Sequence, residues 1–197
     1  MKQLYSILIL TVLTLYNLSA QTTVTYPQQE ANYATFFSDS GGSFNSGTTD
    51  LGMWANGSGN VQSASWRNFT QDGTTTGTPS TMAVGDSFTI TVNATRAWGQ
   101  IGVALLSSPT STTSWADRIN NYAVQVNLDG NSGAFDKPWE IISSGGTITT
   151  STIYGSTTAT DFVFKFTLIS ATSMTVDINN GTETFNVTLN NQNITGY

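Results

Sequence analysis

Residues 174–189 read MTVDINNGTETFNVTL, and no other stretch limits the fold as tightly. Asn180-Gly181 sits between two runs that alternate apolar and polar residues with period two. Both residues tolerate positive φ, which a type I′ turn requires at its two central positions, and the twist of that turn matches paired strands. The stretch therefore predicts a β-hairpin. Met174, Val176 and Ile178 face the core, opposite Phe185, Val187 and Leu189 on the return strand.

The same period recurs upstream. Asp86 to Asn93 alternates cleanly, and Gln100 to Leu106 forms an apolar run. Tyr122 to Leu128 follows, closed by an Asp129-Gly130 turn. Residues 162–168 place Phe162, Phe164, Phe166 and Leu168 on one face. No ten-residue window beyond the first twenty residues carries a helical stripe, and no period between about 20 and 50 residues marks a repeat array. Segments 38–60 and 70–82, rich in Gly, Ser, Thr and Asn, read as long surface loops between strands rather than as linkers. Many short strands with no helices indicate an all-β chain folded as an antiparallel β-sandwich.

The first twenty residues stand apart. Lys2 precedes the apolar run Ile7 to Val12-Leu13, and Leu18-Ser19-Ala20 offers a small residue for cleavage. This is the anatomy of a secretory signal peptide, and the apolar run falls short of the roughly 20 residues of a membrane span. The expectation is a mature form starting near Gln21, secreted or held at the cell surface, with no membrane segment of its own. Residues 21–197 then make one domain large enough for a sizeable core. From Asn190 to Tyr197 another strand begins and breaks off, so the chain reads as truncated at that end or as the first domain of a longer exported protein.

Composition removes several functions. Charged residues make up 9% of the chain, the net charge is −6, and the six basic residues are scattered singly. Nucleic-acid binding needs a clustered cationic surface to neutralise phosphates, so that partner class is excluded. Without a single histidine or cysteine there is no Ser-His or Cys-His couple, no zinc site of the usual kind and no disulfide framework.

The strand pattern, with GQIGVALLSS followed by NYAVQVNLDG and the late hairpin MTVDINNGTETFNVTL, resembles the concanavalin A-like lectin/glucanase superfamily, in particular its laminin-G-like members in bacterial exported proteins. The resemblance covers roughly residues 30–197 and implies a jelly-roll fold that binds a carbohydrate or another surface ligand. Its enzymatic branch carries a Glu-x-Asp-x-x-Glu strand motif, which is absent here. Retaining hydrolysis needs two carboxyl groups about 5–5.5 Å apart. The three glutamates, Glu30, Glu140 and Glu183, have no partner at that motif's spacing, and Asp136 with Glu140 is the nearest approach, interrupted by Pro138. The chain is therefore read as non-catalytic.

Binding rests on the tryptophans. Sugar rings pack apolar C–H faces on aromatic rings while Asp, Asn and Arg hold the hydroxyls. Three of the five tryptophans stand beside polar partners: Trp66-Arg67, Trp115 with Asp117 and Arg118, and Trp139-Glu140. The candidate ligand-binding residues are Trp115, Asp117, Arg118, Trp139, Trp66 and Arg67, and the expected partner is a glycan or cell-surface polysaccharide. Core packing is the plain alternative for each tryptophan, and an Asp117–Arg118 clamp holding its loop is the alternative for that pair. A structural calcium would draw on Asp39 and Asp50, with Asn45 and Asn56, in the 38–60 segment. Asx-turns are the plain alternative there. Six Asn-x-Ser/Thr sequons in the mature chain follow from an Asn- and Thr-rich composition. Two other functions stay open: a structural module whose activity lies beyond residue 197, and a divergent glycoside hydrolase.

Overall fold

A computed structural model of the protein describes residues 22–37, 42–46, 50–55, 61–93, 99–107, 121–130, 137–155, 161–190 and 193–197. A single 3-10 turn spans Glu30–Asn32, and Asn121 is helical just ahead of the strand that starts at Tyr122. The rest of the regular structure is strand: β1 Ala34–Phe37, β2 Gly42–Ser46, β3 Leu51–Ala55, β4 Ser63–Trp66, β5 Ser87–Asn93, β6 Gly99–Leu106, β7 Tyr122–Gly130, β8 Pro138–Ser143, β9 Ile148–Tyr154, β10 Asp161–Ser170, β11 Ser173–Ile178 and β12 Glu183–Thr188.

Two four-stranded antiparallel sheets form the body, ordered β12-β11-β10-β5 and β6-β7-β8-β9. Their inner faces come from the alternation legible in the sequence. Phe162, Phe164, Phe166 and Leu168 of β10 join Met174, Val176 and Ile178 of β11 on one side. Val124, Val126 and Leu128 of β7 join Trp139 and Ile141 of β8 on the other. The layers meet where the Trp139 ring lies edge-on to Phe162 and Phe164, at centroid distances of 5.1 and 4.9 Å. This is an antiparallel β-sandwich, with aromatic area supplying much of the burial free energy.

The hairpin forms with Met174 opposite Val187 and Val176 opposite Phe185. Asn180 and Gly181 take φ of 57° and 83° at the turn centre, and Thr182 N–H donates to the Asn179 carbonyl. Asn179 is left-handed as well (φ 50°); its N–H donates to the Val163 carbonyl, and its side chain accepts from Val163 N–H. The turn is thereby pinned to β10 as well as to its own strands.

Two sequence expectations change. The 38–60 segment is not all loop, because β2 pairs with β3 as a hairpin. Few of its positions are apolar, so backbone pairing is all that marks it as strand. Asp129-Gly130 is not a turn: β7 runs on through both residues, paired with Gln100 and Gly99. The jelly-roll topology is not confirmed: a jelly roll folds eight strands as two Greek keys, whereas here four consecutive strands share one sheet and only β5–β10 joins distant strands of the other. The chain's last residues bridge neighbouring backbone. Arg67 N–H donates to the Tyr197 carbonyl (2.9 Å) and Leu106 N–H to that of Gly196 (2.8 Å), which ties β4's continuation to β6.

The side where β9 and β12 run close is stitched by hydroxyls and one carboxylate. Glu183 accepts from Ser151 Oγ (2.6 Å), from Thr152 N–H (2.9 Å) and from the Thr152 hydroxyl. Thr147 and Thr188 share a hydroxyl–hydroxyl bond of 2.8 Å, and Thr147 Oγ1 also accepts from Thr188 N–H. Backbone donors that would otherwise invite another strand are thus occupied.

Candidate functional site

The structure separates the residues that the sequence grouped by neighbouring polarity. Trp115, Asp117, Arg118 and Asp39 lie outside the described residues, as does Asp136. Trp139 is wholly buried, its ring enclosed between the sheets, so it is a core residue and offers no face to a ligand. Its Nε1 finds no hydrogen-bond partner. The reason is alternation: Pro138, Glu140 and Ile142 point outward from β8, so Trp139 and Ile141 point in. Trp66 ends β4 half-buried, paired with Ala34 of β1.

Arg67 is buried as well, with 5% of its surface exposed. Its guanidinium donates from Nη1 to the Pro27 carbonyl (3.0 Å) and from Nη2 to the Gly73 carbonyl (2.7 Å). It lies over the rings of Tyr26 and Tyr33, at 5.0 and 5.5 Å from their centroids. Every one of these partners belongs to the protein, so the side chain clamps the segment before β1 to the loop after β4. Tyrosines continue the clamp. Tyr26 OH donates to the Thr70 carbonyl (2.9 Å), Tyr33 OH bonds Gln28 and Tyr197 OH, and Gln28 Nε2 donates to Tyr197 OH (3.0 Å). Burial pushes the phenols of Tyr33 and Tyr26 up from their ordinary value, with the neighbouring Tyr197 adding to the rise at both. Tyr197 carries the cluster into the core against Phe88 (4.5 Å) and Phe69 (5.6 Å). This cluster is not legible along the chain, because its members are spread from residue 26 to residue 197.

Trp54 is placed differently. Among the described residues it is the exposed tryptophan, 47% open, on a strand where Gly52, Met53 and Ala55 are exposed too. Successive residues of a strand point to opposite faces, so β3 shows solvent both of its faces. Met53, 42% open, receives the Ser65 hydroxyl on its sulfur from β4. Packing therefore does not account for an indole at residue 54. Sequence reasoning passed over it because Met53 and Ala55, its chain neighbours, are apolar; the signal was the apolar pair Met53-Trp54 inside a Gly- and Ser-rich segment.

Asp50 stands exposed just before β3. Among the described residues no three His, Cys, Asp or Glu side chains gather as a metal site would need, and no helix is long and apolar enough to cross a membrane. No family model matches the chain, and searches of curated proteins and of solved structures return no match either.

Proposed function

We propose that this protein is an exported, non-catalytic β-sandwich that binds a neutral glycan through an aromatic platform centred on Trp54. The observation that carries the reading is the exposure of Trp54 on a strand with two solvated faces, where burial gives no reason for an indole. The surroundings suit an uncharged polyhydroxyl ligand: few charges, and a surface dominated by hydroxyl and amide side chains. The leader-like first twenty residues support export to where such ligands are found. Kinship with concanavalin A-like domains belongs to the same proposal, supported by the two antiparallel sheets and the late hairpin.

Co-sedimentation with insoluble polysaccharides and affinity electrophoresis in soluble ones test it. Retention by at least one neutral polysaccharide is expected, with Trp54→Ala weakening it about tenfold, a loss of about 1.4 kcal/mol. A structural module is the second reading, favoured by the Glu183 and Thr147–Thr188 stitching, which occupies backbone donors at a sandwich edge. No retention by any polysaccharide would favour it.

A further inference from the structure

The two four-stranded sheets end in β12, β5, β6 and β9, and these edges are not treated alike. β9 and β12 close on each other: Glu183 accepts from Thr152 N–H, and Thr147 Oγ1 accepts from Thr188 N–H. β6 is capped at Leu106, whose N–H donates to the Gly196 carbonyl and whose carbonyl accepts from Thr195 N–H. β5 stays open along its whole length. Among the described residues, the backbone of Ser87–Asn93 pairs with β10 and with nothing else.

The direction of its free groups follows from β10. Val163 is bonded on the β11 side, its carbonyl accepting from Asn179 N–H and its N–H donating to Asn179 Oδ1. Backbone groups alternate sides along a strand, so Phe162, Phe164 and Phe166 turn theirs to β5, where they meet Val92, Ile90 and Phe88. Ser87, Thr89, Thr91 and Asn93 therefore present their N–H and C=O groups outward. Side chains carry a second sign of an unfinished edge. Phe162 and Phe164 are 2% and 0% exposed, whereas their β5 partners on the same inner face, Val92 and Ile90, stay half-buried. β5 also holds no proline, no lysine and no bulge, the devices by which natural sheets blunt an edge.

We infer that β5 pairs with the β5 of a second copy of this chain, antiparallel about Ile90, and joins two four-stranded sheets into one. The strand itself sets the register. Centred on Ile90, it places Ser87 opposite Asn93 and Thr89 opposite Thr91 of the second copy, so every outward-facing residue meets another. Moving the centre to Thr89 or Thr91 leaves one of them out, and a slip of one residue sets threonine against the apolar face. On the inner face Phe88 meets Val92 and Ile90 meets its own copy, which gives the half-buried side chains apolar neighbours. No charged residue lies between Ser87 and Asn93, so the copies bring no like charges together there despite a net charge of −6. A two-fold contact of this kind is self-complementary and closed, which gives a dimer rather than a fibre. The pairing is independent of the glycan-binding reading.

Sedimentation equilibrium of the purified protein, taken up to about 1 mM, reads the association, and amide hydrogen exchange reads the strand. The variants are Thr91→Pro, the double substitution Thr89→Lys with Thr91→Lys, and Asn186→Lys as a control on exposed β12. Proline is tolerated where an edge N–H faces solvent, so Thr91→Pro deletes a donor that β10 does not use. In the double variant the introduced ammonium groups stand directly opposite each other across the two-fold axis, which keeps the test valid if the proline unfolds the chain. A concentration-dependent dimer is expected, with slow exchange at the Ser87, Thr89, Thr91 and Asn93 amides. Both edge variants should weaken it about a hundredfold, and Asn186→Lys should leave it unchanged. A monomer at every concentration would overturn the inference, as would a dimer indifferent to both edge variants. Slow exchange at those four amides in a monomer would mean that another segment covers the edge, and would overturn it too.

Discussion

Replacing Arg67 with alanine should unfold the molecule far more readily than its place on the surface of a sequence plot suggests. The substitution leaves the Pro27 and Gly73 carbonyls without their donor. Each such loss costs about 1–3 kcal/mol. Contacts with the Tyr26 and Tyr33 rings add about 0.5–1 kcal/mol each. Against that stands the cost of burying a guanidinium, several kcal/mol, which the variant no longer bears. The balance is a net loss of about 2–4 kcal/mol, and at about 2–4 °C per kcal/mol for a chain of this size the midpoint falls by roughly 5–15 °C. Differential scanning calorimetry on Arg67→Ala measures it, with the exposed Lys165→Ala as a control expected within about 0.5 kcal/mol of wild type. Arg67→Lys should recover only part of the loss, since an ammonium cannot reach two carbonyls and cover two rings as a planar fork does. A midpoint within 2 °C of wild type, about 1 kcal/mol or less, would refute the clamp and return Arg67 to the ligand candidates.

Three further outcomes follow from the packing. The Ser151 hydroxyl, then the Thr152 hydroxyl and N–H, hold the Glu183 carboxyl below its ordinary range. A carboxylate held down in this way contributes stability that is full above its unfolded value, near 4.5, and is lost as pH falls through the folded value. Thermal melts from pH 7 to pH 2.5 should therefore show an acid-side loss that Glu183→Gln reduces, and identical slopes would contradict it. Tyr33 has the opposite sign: its raised phenol favours the protonated form, so the stability it contributes is present below about pH 10 and is lost above it. Melts from pH 8 to pH 11.5 should steepen downward above pH 10, and less so in Tyr33→Phe. Trp139→Ala should cost about 3–5 kcal/mol. Trp139→Phe should cost about 1 kcal/mol or less by urea denaturation, because it removes an indole N–H that is buried without a partner, a defect of about 1–3 kcal/mol.

The strands legible in the sequence are those with one wet face. β5, β7, β10, β11 and β12 alternate because the sandwich buries only their inner side chains, and the Asn-Gly turn marks its own geometry. Other strands carry no such signature. β1 and β4 are four residues each, too short for a period to show, and β3 has no buried face at all. The site was harder to read than the fold. Trp139-Glu140 looks like a sugar-binding pair along the chain, but adjacent residues of a strand point to opposite faces, so one fills the core and the other meets solvent. Arg67 beside Trp66 misled for a related reason: its partners lie at residues 26–33 and 73, beyond any local pattern.

The measurement closest to the central claim is a calorimetric titration of the purified protein with soluble neutral polysaccharides, run beside Trp54→Ala. Saturable binding by the wild type, weakened about tenfold in the variant with its melting temperature unchanged, is the expected result. Absence of heat with every polysaccharide, or equal affinity in wild type and Trp54→Ala, would contradict the aromatic platform.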